Sequence, residues 1–300
     1  MARSVVVVFG ATGLQGGGVA NALLHDSGFK VRAVTRNASS AKAKALQERG
    51  AELVEGNYDD PGSLERALQG AHGMFVVTNY MEHQEFDRDV KQGKAVADAA
   101  KAAGVQHVVF SSLENVQKTM GFPCLFYDSK AEIEEYMKSI GLPVTIVKYP
   151  AYYENYINFG PRKLEDGTYE LGYALEGAAM HAVSVADMGF AVRTIFKNRA
   201  EWLDRTVGFS GDKLTIQQHA DILSKHLAPK VFKPTKMTTE EYSKLGFPGA
   251  EQIANMFKFY RLGNPDRSVE LTRQLYPGTR SLDQWVADNK EALLNVLEKK

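Results

Sequence analysis

Twelve residues near the amino terminus, Val5-Val-Val-Val-Phe-Gly10-Ala-Thr-Gly13-Leu-Gln-Gly16, restrict the fold more than any other stretch of the chain. Four valines and a phenylalanine have the length and composition of a strand buried on both faces. Three glycines at spacing three follow at once, so the order is strand, tight turn, helix. Amides in the first turn of a helix lack intrahelical partners, and glycine lets a phosphate approach the main chain closely. Such glycines also serve as a plain flexible turn. Their position after a strand and before a helix is what predicts a dinucleotide pyrophosphate.

Strand and helix patterns alternate from there to about residue 150. Helices are expected over Gly16–Leu24, Ala41–Arg49, Asp60–Gln69, Glu85–Ala103 and Asp128–Ile140, with strands over Lys30–Thr35, Ala51–Glu55, Met74–Thr78, His107–Ser111 and Val144–Lys148. With Val5–Phe9 that makes six strands. Right-handed crossovers leave few ways to cover both faces, so the expected class is α/β, a Rossmann-type doubly wound parallel sheet. Residues 1–150 read as the nucleotide-binding domain and 151–300 as a smaller, largely helical lobe closing over its cleft. Four capping patterns open helices in that lobe, Ser184/Asp187, Thr215/Gln218, Thr238/Glu241 and Ser281/Gln284. Ile253, Met256, Phe257 and Tyr260 repeat on one helix face and read as core.

The residue ending the second strand selects the cofactor. An acidic residue there would bind the adenosine ribose of NAD; this chain has Arg36, whose guanidinium matches a 2′-phosphate, so NADP(H) is expected. Lys42 either adds charge to the same pocket or is a helix-surface lysine. Asn57 and Tyr58, past the third strand, fall beside the adenine, and Asp60 reads as a helix cap. Thr78, Asn79 and Tyr80 leave the fourth strand at its carboxyl end, where such folds hold ligands.

Short-chain dehydrogenases with this glycine pattern use a tyrosine acid and a lysine four residues on, both on one helix face. None of the 13 tyrosines has a lysine at that spacing. Tyr127 precedes Lys130 by three, with Phe126 at the tyrosine's usual place. Tyr127 remains a candidate acid, and Lys130 is better placed to bond the nicotinamide ribose. Ser111 and Ser112 stand where a catalytic serine would fall, or simply cap the strand end.

The remaining motifs exclude other chemistries. The seven histidines form no i, i+4 pair and have no cysteine at ligand spacing, so no metal is expected. A Walker lysine and a Gly-x-Ser-x-Gly elbow are absent. The 36 basic residues balance 36 acidic ones, which gives no field for nucleic acid or an anionic membrane. A lone cysteine, Cys124, excludes an internal disulfide framework. Without a leader pattern or an apolar run near the roughly 18 residues of a membrane span, the chain is expected in the cytoplasm, or also the nucleus.

Several segments carry a resemblance beyond the general fold. Gly10-Ala-Thr-Gly-Leu-Gln-Gly16, Val34-Thr-Arg-Asn37, Val77-Thr-Asn-Tyr80, Val90-Lys-Gln-Gly93, Ser111-Ser-Leu-Glu-Asn115, Pro150-Ala-Tyr-Tyr-Glu-Asn155 and Leu245-Gly-Phe-Pro-Gly-Ala250 resemble the NmrA-like family, nearly end to end. The resemblance implies an atypical short-chain dehydrogenase fold that binds NADP(H) and acts as a redox sensor without established turnover. It implies cofactor contacts at Gly10, Ala11, Thr12, Gly13, Leu14, Gln15, Arg36, Lys91, Lys130, Tyr152, Tyr153, Glu154 and Asn155. Ser39 and Ser40 stand where the family carries further basic residues, so the strength of 2′-phosphate capture does not carry over from the resemblance. It also implies regulatory protein partners, among them argininosuccinate synthetase, or a second subunit of a homodimer. Two functions therefore follow as expectations. One is a sensor in which NADPH sets the loops around Leu113–Phe126 and Tyr152–Phe159. The other is an NADPH-dependent reductase of a quinone or a plant-reductase-like substrate, using Lys130 or Tyr127.

Overall fold

A computed structural model describes residues 3–263 and 265–298. Its first half runs β1 (Ser4–Val8), α1 (Leu14–Leu24), β2 (Phe29–Thr35), α2 (Ala41–Glu48), β3 (Glu52–Glu55), α3 (Pro61–Leu68), β4 (Gly73–Val76), α4 (Tyr80–His83), α5 (Phe86–Ala102), β5 (His107–Ser112), α6 (Val116–Met120), α7 (Leu125–Ser139) and β6 (Val144–Lys148). The valines of β1 lie between β2 and β4, with Val6 opposite Val31 and Val7 opposite Met74. Alternate residues serve opposite faces. Val6 and Val8 join Val19, Leu23 and Val31 in one core layer, whereas Val7 joins Leu64, Val96, Phe110 and Ile133 in the other.

The second half continues β7 (Ala151–Tyr152), α8 (Asn155–Asn158), β8 (Arg162–Lys163), β9 (Tyr169–Leu171), β10 (Ala179–Val183), α9 (Val185–Lys197), α10 (Arg199–Trp202), β11 (Thr206–Gly208), β12 (Asp212–Thr215), α11 (Ile216–His226), β13 (Phe232–Pro234), α12 (Thr239–Ser243) and α13 (Ala250–Leu262). Three further helices, Val269–Leu275, Leu282–Asp288 and Lys290–Glu298, follow.

The main sheet has seven strands, not the expected six, in the order β11-β6-β5-β4-β1-β2-β3, all parallel. The seventh, β11, comes from the second half and pairs with β6, Val207 opposite Val147. Helix α9 also joins the first layer, its Val192 and Ile195 packing with Val19 and Leu23 of α1. A division at residue 150 therefore cuts across one core. The lobe is largely helical, as expected, and also contains two three-stranded sheets of short strands, β12-β10-β7 and β13-β9-β8. Its own core gathers Tyr153, Phe257 and Trp285. Among the described residues, no helix is long and apolar enough to cross a membrane.

Strand order reverses between β1 and β4, and a sheet of this kind opens a crevice at the carboxyl ends of those strands. The lobe faces that crevice.

Candidate functional site

A cleft of about 1490 Å³ occupies the crevice. Its floor is the glycine turn. Gly10 adopts φ +64°, a conformation that favours glycine, and its carbonyl accepts from Gly13 N at 2.8 Å. No side chain caps the first turn of α1, and Thr12, Gly13, Leu14, Gln15 and Gly16 line the cleft there. Ala11 is buried beneath the turn, off the lining.

The adenosine end carries most of the charge. Arg36, leaving β2, pairs with Glu82 of α4, and the Glu82 carboxylate also accepts from Asn79 Nδ2 at 3.1 Å. That pairing holds Glu82 below the usual carboxylate range. Lys42, Asn57 and Tyr58 share the wall. Asn57 Oδ1 accepts from the amide of Asp59, and the Tyr58 ring stacks on Phe9 at 5.5 Å with its hydroxyl donated to Val77 O at 2.9 Å.

The reactive end centres on Lys130 of α7, which is buried. Its ammonium donates to Thr78 O at 3.0 Å and Thr78 Oγ1 at 2.7 Å, with Asp89 Oδ2 at 3.6 Å. Burial lowers the Lys130 pKa despite the nearby carboxylate. Tyr127 also lines the cleft, but its hydroxyl donates to Tyr260 Oη at 2.8 Å on the far wall, and burial raises its pKa well above the usual phenol value. Phe126 lines the cleft beside it. Gln15 Nε2 donates to Tyr152 Oη at 2.6 Å, bridging the glycine turn to the second half. Burial pushes the Tyr152 phenol up to about 12, against the opposing bond from Gln15.

Besides Ala11, three further residues implied by the resemblance lie off the lining. Lys91 is exposed on α5, because the cleft side of that helix belongs to Arg88 and Gln92, four residues apart, both bonded to Asp59. Tyr153 faces away from Tyr152 in the extended segment, into the lobe core, and donates to Asp212 Oδ2 at 3.0 Å. Glu154 turns to α9, where it accepts from Ser184 Oγ at 2.7 Å and Val185 N at 3.0 Å. Asn155 does line the cleft.

Other lining residues were not legible as such. Ile253, Met256, Phe257 and Tyr260, expected as core, pack on the lobe and also form the far wall of the cleft. Tyr149 lines the cleft as well, and its buried hydroxyl has no hydrogen-bond partner among the described residues. Every lining residue that follows Lys130 in the chain is uncharged. No group of three or more His, Cys, Asp and Glu side chains suited to a metal occurs among the described residues.

The residues fit a phosphorylated dinucleotide. The uncapped α1 amides suit a pyrophosphate, and Arg36 suits a further phosphate. Gln15 Oε1 is buried without a partner among the described residues, an acceptor that suits a ligand donor.

Comparisons with known proteins place this architecture. The NmrA-like family pattern matches residues 2–293. An NmrA-like family domain-containing protein of Dictyostelium discoideum is 34% identical over 75% of this chain and 78% of its own. An NmrA-like family domain-containing oxidoreductase of Aspergillus japonicus is 30% identical over 86% of this chain and 83% of its own. Among solved structures, NmrA, a negative transcriptional regulator in complex with NADP, superposes with a TM-score of 0.82 at 22% identity, over 98% of each chain. With its glycine turn, seven-stranded sheet and lobe, the chain belongs to the NmrA-like family.

Proposed function

We propose that this chain binds NADP(H) in the cleft and acts as a redox sensor, its occupancy setting the loops that a partner reads. The observation that carries the sensor reading is the state of the reactive end. Phe126 stands in place of a phenol, the Tyr127 proton is committed to Tyr260, and the Lys130 ammonium is committed to Thr78. NADPH supplies a hydride when bound, but neither Tyr127 nor Lys130, the pair nearest the usual tyrosine and lysine, is set to deliver the matching proton. Binding instead draws on both halves of the chain, since the Gln15–Tyr152 bridge joins the glycine turn to the segment before α8. The solved NmrA–NADP complex of a transcriptional regulator supports the same direction.

The partner is a regulatory protein or a second copy of this chain, in the cytoplasm or the nucleus. A ligand moves such an equilibrium only by its difference in affinity for the two arrangements, and a full switch needs about 10⁴-fold preference. The test is titration with NADPH, NADP⁺ and NADH, with hydrogen exchange followed at residues 113–126 and 152–159. Tight NADPH binding that changes exchange there, without consumption of NADPH, is the expected result. Binding that leaves both loops unchanged removes the sensor reading.

A second reading rests on the uncharged far wall. The aromatic and aliphatic side chains beyond Lys130 suit a flat, neutral hydride acceptor such as a quinone, and the Aspergillus japonicus relative is described as an oxidoreductase. Steady NADPH oxidation with quinones or aldehydes, abolished by Lys130→Ala, would establish it in place of the sensor.

A further inference from the structure

Glu82 occupies the position relative to Arg36 that an anionic ligand would take. It sits on α4, a single turn between Asn79 and Gln84, and Gln84 closes that turn at φ +55°. The turn has two unlike sides. Tyr80 is buried and packs against Phe126 with ring centroids 6.0 Å apart, at the reactive end. Glu82 reaches the other way, to a guanidinium whose side chain is 64% exposed, and Asn79 steadies its second oxygen.

The geometry points to Glu82 as an internal anion that holds Arg36 until a 2′-phosphate displaces it, so that α4 distinguishes phosphorylated from unphosphorylated cofactor. This rests on the NADP(H) reading of the cleft. Glu82 is ionised at neutral pH, since Arg36 depresses its pKa. A phosphate brought to the same guanidinium meets that carboxylate as a like charge, and the weaker, solvent-exposed partner gives way. Displacement frees the outer side of α4 while Tyr80 stays anchored, and the turn then carries the change toward Phe126. NADH, which has no 2′-phosphate, leaves the Arg36–Glu82 pair intact.

The experiment compares NADPH and NADH binding to wild type and Glu82→Gln by calorimetry, with hydrogen exchange of residues 79–84 in the wild type. Removing the competing charge is expected to tighten NADPH about fivefold, the scale of one exposed ion pair, and to leave NADH unchanged. Exchange of 79–84 is expected to rise with NADPH and not with NADH. Equal shifts for the two nucleotides in Glu82→Gln, weaker NADPH binding, or the same exchange response to both cofactors overturns the inference. A wild type that does not prefer NADPH overturns the cofactor reading beneath it, which separates the two failures.

Discussion

On the proposed reading Arg36 is the residue on which cofactor choice turns, and its ion-pair partner among the described residues is the exposed Glu82. Charge-assisted bonds to a phosphate contribute about 1.5–3 kcal/mol. Arg36→Asp should therefore weaken NADPH roughly 30-fold and NADH by no more than a few-fold, read by titration. Equal losses would show that the guanidinium does not meet a 2′-phosphate. Tyr149 gives the opposite kind of test. Its hydroxyl is buried without a partner among the described residues, so Tyr149→Phe should stabilise the protein by about 1 kcal/mol, a rise of about 2 °C in Tm. Arg36 and the glycine turn were legible because a short local pattern fixes their place after a strand. Lys91, Tyr153 and Glu154 were not, because their sequence places them near the cleft while the rotation of α5 and the alternation after β7 point them away. Tyr149 was passed over for the converse reason: nothing local marks a strand-end tyrosine as lining a cleft.

Among the elements, the contact of α1 with α9 holds the second half against the sheet. A Cβ at Gly189 of α9 would run into the backbone of Gly18 in α1, so the two helices cross with main chains in contact. In an open helix interior, glycine to alanine stabilises by up to about 1 kcal/mol. Here steric overlap decides the sign, and Gly189→Ala should destabilise by about 2 kcal/mol in urea unfolding. A neutral or stabilising result would mean that the helices stand further apart. The longer first-half elements were readable to within a few residues, since each has its own period and stop signal, whereas the short helices α4 and α6 have too few residues to show a period and were not expected. Three of the four capping patterns form capping boxes, at Thr215, Thr238 and Ser281. The fourth does not. Asp187 is taken by Arg280, at 2.7 Å from its Nη2, and Glu154 binds the α9 amide end instead. A local motif yields where distant charged partners compete for the same oxygen.

At the scale of the whole molecule, β11 and α9 belong to the sheet layer although they lie more than a hundred residues from β1. A three-residue strand has no readable period, which is why the seventh strand was invisible in the sequence. The layers share a response to acid. His107 in the sheet layer bonds Thr145 Oγ1 at 2.8 Å, His219 in the lobe bonds the Tyr156 hydroxyl at 2.7 Å, and His181 on β10 bonds Ser210 Oγ at 2.9 Å. Burial, chiefly, lowers each pKa to about 4, with Arg199 adding to it at His107 and Lys213 at His181. These groups are held neutral in the fold but protonate near 6.5 once unfolded, so the unfolded state binds the extra protons. Their contribution is therefore complete above about pH 6.5 and is lost as pH falls toward 4, with a slope of up to about 1.4 kcal/mol per pH unit for each histidine. Denaturant unfolding from pH 8 to 4 should give a flat upper limb and a steep fall below 6.5, before carboxylates such as Glu114, itself held low by Arg267, begin to titrate. His219→Gln should reduce that slope by one proton's share. A profile that stays flat down to pH 5 would mean that the three imidazoles take up protons in the folded chain, and that its interior is wetter than the packing around them indicates.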